Sequence, residues 1–576
     1  MNIDIRAAQA DVLPNPTRLP RVDMKSDPLS ERSCDYVSAK PLKIQPVQIH
    51  THGQSFLGSL KMTPNHLIFQ STARDLWYPY PIVNTVERRI PSADGSQSAL
   101  RFRNRDFSSI TLFFSSRSDC DYVFEHIMGH TCITSVLCLY AFSYKPGLLE
   151  SSLNSWSLYD PRKEFIRLGV NTRTKEWRFT NVNMNFERCP TYPELLVVPS
   201  KISDNTLNYG YKYRSKGRIP ALTYIHTLNN CTITRSSQPL VGIKQNRSIQ
   251  DEKLLEAIFA TTHPDGVYGS QANNLIIDAR PTKNAFANVA IGAGTEDMNN
   301  YKNAHKAYLG IDNIHVMRDS LAKVVEAIKD SDLVPLPPNR ELLAKSGWLK
   351  HISAIIDGSL LITRTIHIQH SSVLVHCSDG WDRTSQLSAI SQLCLDPYYR
   401  TVEGFMILVE KDWMSFGHRF ADRCDHLTSE KAFYTTDGGN STLASMIIKP
   451  FFGTKESSPV FHQFLDCTEQ IRQQFPNRFE FNGRFLKRIL YHFEKQRCEH
   501  RVRENTRSLW DYFLTRRSDF VNECYNPALD LPGDTVLLPD PKHVQWWSDV
   551  FGRTDEEMNS GLSKGEILGV GVDFIK

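Results

Sequence analysis

Cys377 and Arg383, with five residues between them in SSVLVHCSDGWDRTSQLS (residues 371–388), are the side chains of this sequence best placed to do chemistry together. A cysteine thiolate is a strong nucleophile, and a guanidinium grips two oxygens of a phosphate as a planar fork that a lysine cannot copy. The string reads as an apolar strand, a turn at Gly380 and then a helical stretch. A strand-to-helix loop of that kind points backbone N–H groups at a bound anion, and the helix N-terminus adds a favourable dipole. The same dipoles favour the thiolate, since surroundings of this sort lower a cysteine from about 8.5 to roughly 3.5–7.5. Ser378, Asp379 and Gly380 lie within this loop as candidate substrate-binding residues. Asp379 and Asp382 can each hand a proton to a leaving alkoxide. Each can equally serve as a helix cap, and the spacing leaves both uses open. A lone cysteine ending a buried strand is usually a small core residue; the arginine, the glycine turn and the strand together favour phosphate chemistry.

The elements that must position this loop read as an α/β unit. NLIIDARP, LLVVPSKISD and SSVLVHC are short apolar runs of buried-strand type, while EKLLEAIFATT, RDSLAKVVEAIKD and KHISAIIDGSLLITRTI carry helical spacing. Their alternation predicts a central sheet surrounded by helices over residues 146–576, with a helical layer at about 459–515 from SPVFHQFLDCTEQIRQQF and NGRFLKRILYHFEKQR. Residues 41–145 read differently. SFLGSLKMT, HLIFQST, LWYPYPIVNTVE, SALRFRNRD and ITLFF are β-like runs bounded by Pro, Asn, Asp or Gly. They predict a small antiparallel sheet or barrel, followed by a helix in RSDCDYVFEHIM with Ser118 and Asp119 as candidate caps. Residues 1–40, rich in Pro, Asp, Ser and Arg without periodicity, read as a flexible tail.

A chain of 576 residues exceeds what one hydrophobic core usually serves, which predicts at least two domains. A net charge of only +4 argues against a general nucleic-acid binder. No apolar stretch is long enough to span a bilayer, and the start has no secretory h-region, so a cytoplasmic protein is expected. Twelve scattered cysteines without C-x-x-C spacing suggest neither a disulfide framework nor a zinc site. No His or carboxylate cluster has metal-ligand spacing, and the chemistry above needs no metal or other cofactor.

HCSDGWDRTSQL resembles the signature of the myotubularins, cysteine-dependent phosphatases that act on the 3-phosphate of phosphatidylinositol 3-phosphate and phosphatidylinositol 3,5-bisphosphate. RSKGRIPALTYIH, RSSQPLVG, NLIIDARPTKNAFANVAIGAG, DNIHVMRDSL, FMILVEKDWMSFGHRFADRC and SPVFHQFLDC are similar to further blocks of that family in the expected order. GSLKMTPNHLIFQ resembles the early hairpin of a GRAM-type, pleckstrin-homology-like module. The resemblance implies Cys377 as nucleophile, Arg383 as phosphate-binding arginine and Asp382 as general acid. It further implies that Trp381, Asn288, Asn313 and Ile314 line the inositol pocket and that Arg419 meets a second phosphate. It also implies a peripheral enzyme of endosomal or vacuolar membranes, whose association with a relative or an adaptor would be through helical segments. No sustained heptad pattern is visible, which favours a monomer or weak dimer. The valine after Asn288 replaces a common lysine. Two readings compete with a lipid phosphatase: an inactive lipid-binding scaffold, against which the presence of Cys377, Asp382 and Arg383 speaks, and a protein tyrosine phosphatase. The 377–383 loop holds two carboxylates and no lysine, which favours mono- or bisphosphorylated lipid over the trisphosphate. Finally, Met446, Ile447, Ile448, Phe451 and Phe452, within the long segment 428–458, form an apolar cluster that either packs into the core or dips into lipid beside Lys449.

Overall fold

The computed structural model describes residues 42–90, 97–132, 140–262, 273–301, 303–329, 336–424, 432–437, 456–494, 506–531, 534–560 and 573–575. The tail over residues 1–40 and the Met446–Phe452 cluster lie outside these residues.

The N-terminal part is a curled antiparallel meander: β1 (Leu42–Thr51), β2 (Gln54–Met62), β3 (His66–Gln70), β4 (Asp75–Pro79), β5 (Val83–Ile90), β6 (Ser98–Asn104) and β7 (Ser109–Phe114). β1 pairs with both β2 and β7, so alternate residues such as Val47, Ile49, Leu60, Leu100 and Leu112 turn to a common interior. Helix α1 (Arg117–Thr131) closes it by burying Cys120, Val123, Phe124 and Ile127, one face at helical spacing. The cap position is Ser116, so Ser118 and Asp119 fall in the first turn.

The second part begins with a two-stranded ribbon of β8 (Trp177–Thr180) and β9 (Leu196–Pro199), continues through β10 (Ala221–Ile225), β11 (Thr232–Ser236), α2 (Ile249–Ala260), β12 (Asn274–Asp278), β13 (Ala304–Tyr308), α3 (Ile314–Ile328), α4 (Trp348–His367), β14 (Val373–His376), α5 (Arg383–Leu395), β15 (Phe433–Asp437), α6 (Val460–Gln474) and α7 (Gly483–Glu494), and ends at β16 (Asp573–Ile575). The main sheet runs β10-β11-β14-β12-β13-β16, with β11, β14, β12 and β13 mutually parallel and antiparallel strands at both edges. β14 lies at its centre, every residue buried. This is the mixed α/β sheet the alternation predicts, with one difference. LLVVP pairs with β8 apart from the main sheet, and Ser203 then caps a helix over Asp204–Gly210.

β15 belongs to the first sheet although it is over 300 residues away in sequence. It pairs in parallel with the edge of β5, and Phe433 enters the N-terminal core against Phe124. Arg88 Nε donates to Thr435 and Thr436 Oγ1 donates to Glu87, which ties the edge down further.

α6 carries His462 into the core between Phe107 and Trp348, where burial lowers its pKa to about 3. The unfolded chain binds a proton there below about pH 6.5, whereas the folded one does not until about pH 3. The contribution of His462 to stability is therefore complete above pH 6.5 and falls by about 1.4 kcal/mol per pH unit on acidification through that window, offset in part below about pH 6 by Asp466, whose carboxyl burial raises to about 6. The urea midpoint should drop between pH 7.5 and 5, and His462→Phe should flatten that dependence.

Candidate active site

At the C-terminal end of β14 the chain enters the loop 377–382, and α5 begins at Arg383. Gly380 makes the turn possible. Its φ is +78°, and a Cβ there would stand 2.3 Å from the carbonyl oxygen of Ser236. The loop's carbonyls are drawn outward: Gly380 O accepts from Arg218 Nη2 and Arg235 Nη2, each at 2.9 Å. Trp381 O accepts from Ser385 Oγ at 3.0 Å and His418 Nδ1 at 2.7 Å, and Ser378 O accepts from the Gln238 amide at 3.0 Å. With the carbonyls so engaged, the Gly380 amide donates to Cys377 Sγ at 3.3 Å. Among the described residues, the amides of Ser378, Asp379, Trp381 and Asp382 have no acceptor. A bound tetrahedral anion can supply one, at the N-terminus of a 13-residue helix. Gly380→Ala should push the loop off Ser236 and weaken inorganic phosphate binding about tenfold or more in calorimetry, the scale of one lost charge-assisted bond.

Beneath the loop lies a layer of buried ion pairs. Arg235 meets Asp412 at 3.0 Å, Arg280 meets Asp278 at 2.6 Å, and Arg214 bridges Asp251 at 2.7 Å and Glu296 at 2.6 Å. Glu296 also lies 3.0 Å from Nε2 of His376, the residue preceding Cys377. Burial alone would raise the Glu296 carboxyl, but His376 and Arg214 hold it well below the usual carboxylate range. These pairs hold the sheet's C-terminal edge under the loop, and losing one partner would strand a charge there.

Cys377 is only 2% exposed, at the base of a pocket of about 360 Å³. Arg383 Nη1 donates to the Ile311 carbonyl at 3.0 Å and Nη2 to Ser378 Oγ at 3.4 Å, which turns the guanidinium back towards the loop. Ser378, Asp379, Trp381, Asp382, Asn313, Ile314 and Arg419 line the same pocket. The structure separates the two aspartates. Asp382 makes no side-chain cap bond. Its carboxylate is held by Arg423 at 3.0 and 3.1 Å and lies 3.2 Å from His418 Nδ1. Burial pushes that carboxyl up, yet Arg423 and His418 more than offset it and leave it well below the ordinary range. Asp379 accepts from Ser215 Oγ at 3.0 Å. Asn313 caps α3, its Oδ1 accepting from the amides of His315 and Val316.

Two expected positions stand behind the wall rather than in it. Gly380 is packed against Ser236, and Asn288 donates to Gln238 Oε1 at 3.1 Å, reaching the loop only through Gln238. Lys216, His315, Arg423 and Glu456 also line the pocket. None was singled out, because each sits on a segment whose role is set by where the fold brings it. Lys216 and Arg423 change the electrostatic picture drawn from the loop alone, since the pocket draws its cations from other segments. Arg419 pairs with Asp422 and lies 5.6 Å over the Trp381 ring. A second cavity, of about 500 Å³, lies where Arg105 and Phe107 face Lys487 and Arg488, away from Cys377.

A parallel-centred sheet whose middle strand delivers a Cys-x5-Arg loop to a helix N-terminus defines a cysteine-phosphatase-like domain. Residues 139–500 match the family model "Myotubularin-like phosphatase domain", and residues 43–130 match "MTMR6-9, GRAM domain". The chain belongs to the myotubularin family. It is 34% identical to the phosphoinositide 3-phosphatase of Saccharomyces cerevisiae over 93% of this chain and 95% of that protein. It is 37% identical to human phosphatidylinositol-3,5-bisphosphate 3-phosphatase MTMR8, covering 89% of this chain and 70% of the relative. Human phosphatidylinositol-3-phosphate phosphatase MTMR7 is 35% identical over 89% of this chain and 75% of its own length.

Proposed function

We propose that the chain is a phosphoinositide 3-phosphatase that hydrolyses the 3-phosphate of phosphatidylinositol 3-phosphate and phosphatidylinositol 3,5-bisphosphate. The observation that carries this is the convergence of Cys377 Sγ, the inward amides of the loop and Arg383 on one pocket, in a chain whose relatives bear those activities in their names. The 3-phosphate sits on the loop, its oxygens taken by the amides and the Arg383 fork. The Cys377 thiolate attacks phosphorus, the bond to the inositol oxygen breaks, and that oxygen takes a proton from Asp382. Water then attacks the cysteinyl-phosphate, returning the proton to Asp382 and the electron pair to sulfur, and inorganic phosphate leaves. Asn313, Ile314 and Trp381 shape the ring's site, and Arg419 with Lys216 offers charge to a further phosphate.

Among the described residues, no helix is long and apolar enough to cross a membrane. We read the enzyme as cytoplasmic and peripheral on endosomal or vacuolar membranes. Phosphate release from a panel of short-chain phosphoinositides and a phosphotyrosine peptide tests the assignment. Release from the two 3-phosphorylated lipids is expected to dominate. Preference for the peptide, or no release at all, would overturn it.

A further inference from the structure

Beside the pocket, the helical turns Thr282–Ala287 and Asn288–Ile291 present their apolar stripe outward. Phe286, Ala287, Ala290 and Ile291 recur at i, i+1, i+4 and i+5, with Lys283 one turn before them, and all five are exposed, with Phe286 at 55% and Ile291 at 79%. A stripe at that spacing normally faces a core. Next to it runs the loop 241–247, whose Ile243 is 75% exposed. The two segments are clasped together: the Gly242 amide donates to the Ala293 carbonyl at 2.9 Å, and a Cβ on Gly242 would lie 3.3 Å from the Gly292 Cα. Ile243 and Ile291 therefore flank one tight backbone contact and form a single ridge with Phe286. The ridge is anchored to the phosphate loop through Asn288, Gln238 and Ser378.

The charges around the ridge select its partner. Segments 241–247 and 282–292 contain Lys244, Arg247 and Lys283 and no carboxylate. Arg247 is spent on Glu252 at 2.6 Å, while Lys244 and Lys283 make no ion pair among the described residues. Large apolar tips beside lysines, without acidic residues, suit the boundary between headgroups and acyl chains of an anionic bilayer.

The geometry points to this ridge as the surface that seats the enzyme on an anionic lipid membrane, with Ile243, Phe286 and Ile291 entering the interface and Lys244 and Lys283 meeting anionic headgroups. This rests on the lipid-phosphatase reading and adds where and how the bilayer is engaged. The hydrogen-bond path from Asn288 through Gln238 to Ser378 sets the ridge close to the pocket, so that a membrane docked there lies within reach of it.

The full chain is compared with the triple variant I243S/F286S/I291S and with K244E/K283E on phosphatidylcholine vesicles carrying phosphatidylinositol 3-phosphate, with and without phosphatidylserine. The triple variant should bind both vesicle types about tenfold or more weakly, as expected from losing several buried side chains, and its activity on vesicles should fall with it. Hydrolysis of short-chain lipid and the melting temperature should not change, because the three side chains are exposed. K244E/K283E should lose the gain that phosphatidylserine confers. Vesicle binding equal to wild type in the triple variant overturns the inference. So does an equal loss on short-chain lipid, which would make the ridge part of the pocket. A wild-type dimer that the triple variant converts to monomer, with vesicle binding kept, assigns the ridge to a second copy instead. Should wild type fail on short-chain lipid, the catalytic reading falls while the vesicle-binding comparison still decides the ridge.

Discussion

Cys377→Ser should abolish turnover, by about 10⁴-fold or more, while leaving binding of short-chain phosphatidylinositol 3-phosphate intact. The serine hydroxyl has the size of the thiol and enters a site that is 2% exposed, so neither the Gly380 turn nor the Arg383 contacts to Ile311 and Ser378 have reason to move. What changes is the nucleophile. Sulfur is a far stronger nucleophile towards phosphorus than a serine hydroxyl, which attacks only with a base to take its proton. Rapid quench of wild type on labelled substrate should show protein-bound phosphate that forms and decays on the turnover timescale, and Cys377→Ser should show none. Calorimetry should give similar dissociation constants for the two proteins. A serine variant that still turns over within tenfold of wild type would remove the covalent mechanism.

The second large effect is expected at Asp382. Asp382→Asn should slow hydrolysis of the inositol lipid by about 10²- to 10⁴-fold, because an inositol alkoxide is a poor leaving group that needs its proton as the P–O bond breaks. A phenyl phosphate whose leaving group is already acidic should lose far less, and that contrast separates proton donation from a loss of structure. The wild-type carboxyl is pushed up by burial but brought well below its ordinary range by Arg423 and His418, so in the empty enzyme it is ionised. The proton then arrives with the substrate: a phosphate monoester has a second pKa near 6, and its charge beside Asp382 raises the carboxyl's affinity for that proton. kcat/KM on the lipid should accordingly decline above about pH 6 in wild type. Asp379→Asn, which alters a side chain held by Ser215 away from Arg423, should cost less. If the two variants rank the other way in single turnover, Asp379 is the acid.

Much of this site was legible in one short string, because its geometry is local. A strand, a glycine turn and a helix within eighteen residues carry Cys377, the loop amides and Arg383. The helices of α/β type were legible for a similar reason: α4 and α6 bury long apolar faces with a helical period. β11 and β13 were harder to see. TITRS holds Arg235 and AHKAY holds His305 and Lys306, so neither reads as an apolar strand, and Arg235 is tolerated in the interior because the Asp412 carboxylate at 3.0 Å and the Gly380 carbonyl at 2.9 Å receive it there.

The contributions of distant segments were not legible at all. Lys216, Arg423 and Glu456 belong to three separate stretches, and nothing in their local sequence says that they meet around Cys377. The proton state of Asp382 depends on Arg423 and His418, which reach it from some forty residues away. β15 is the clearest instance, a five-residue strand that completes a sheet begun more than 300 residues earlier. Strand pairing and charge pairing across such distances are decided by which edges and carboxylates the packed core leaves to be satisfied, so they emerge only when the chain is folded. Cys377 and the loop up to Arg383 are written in consecutive residues; the charge around them is a property of the tertiary structure.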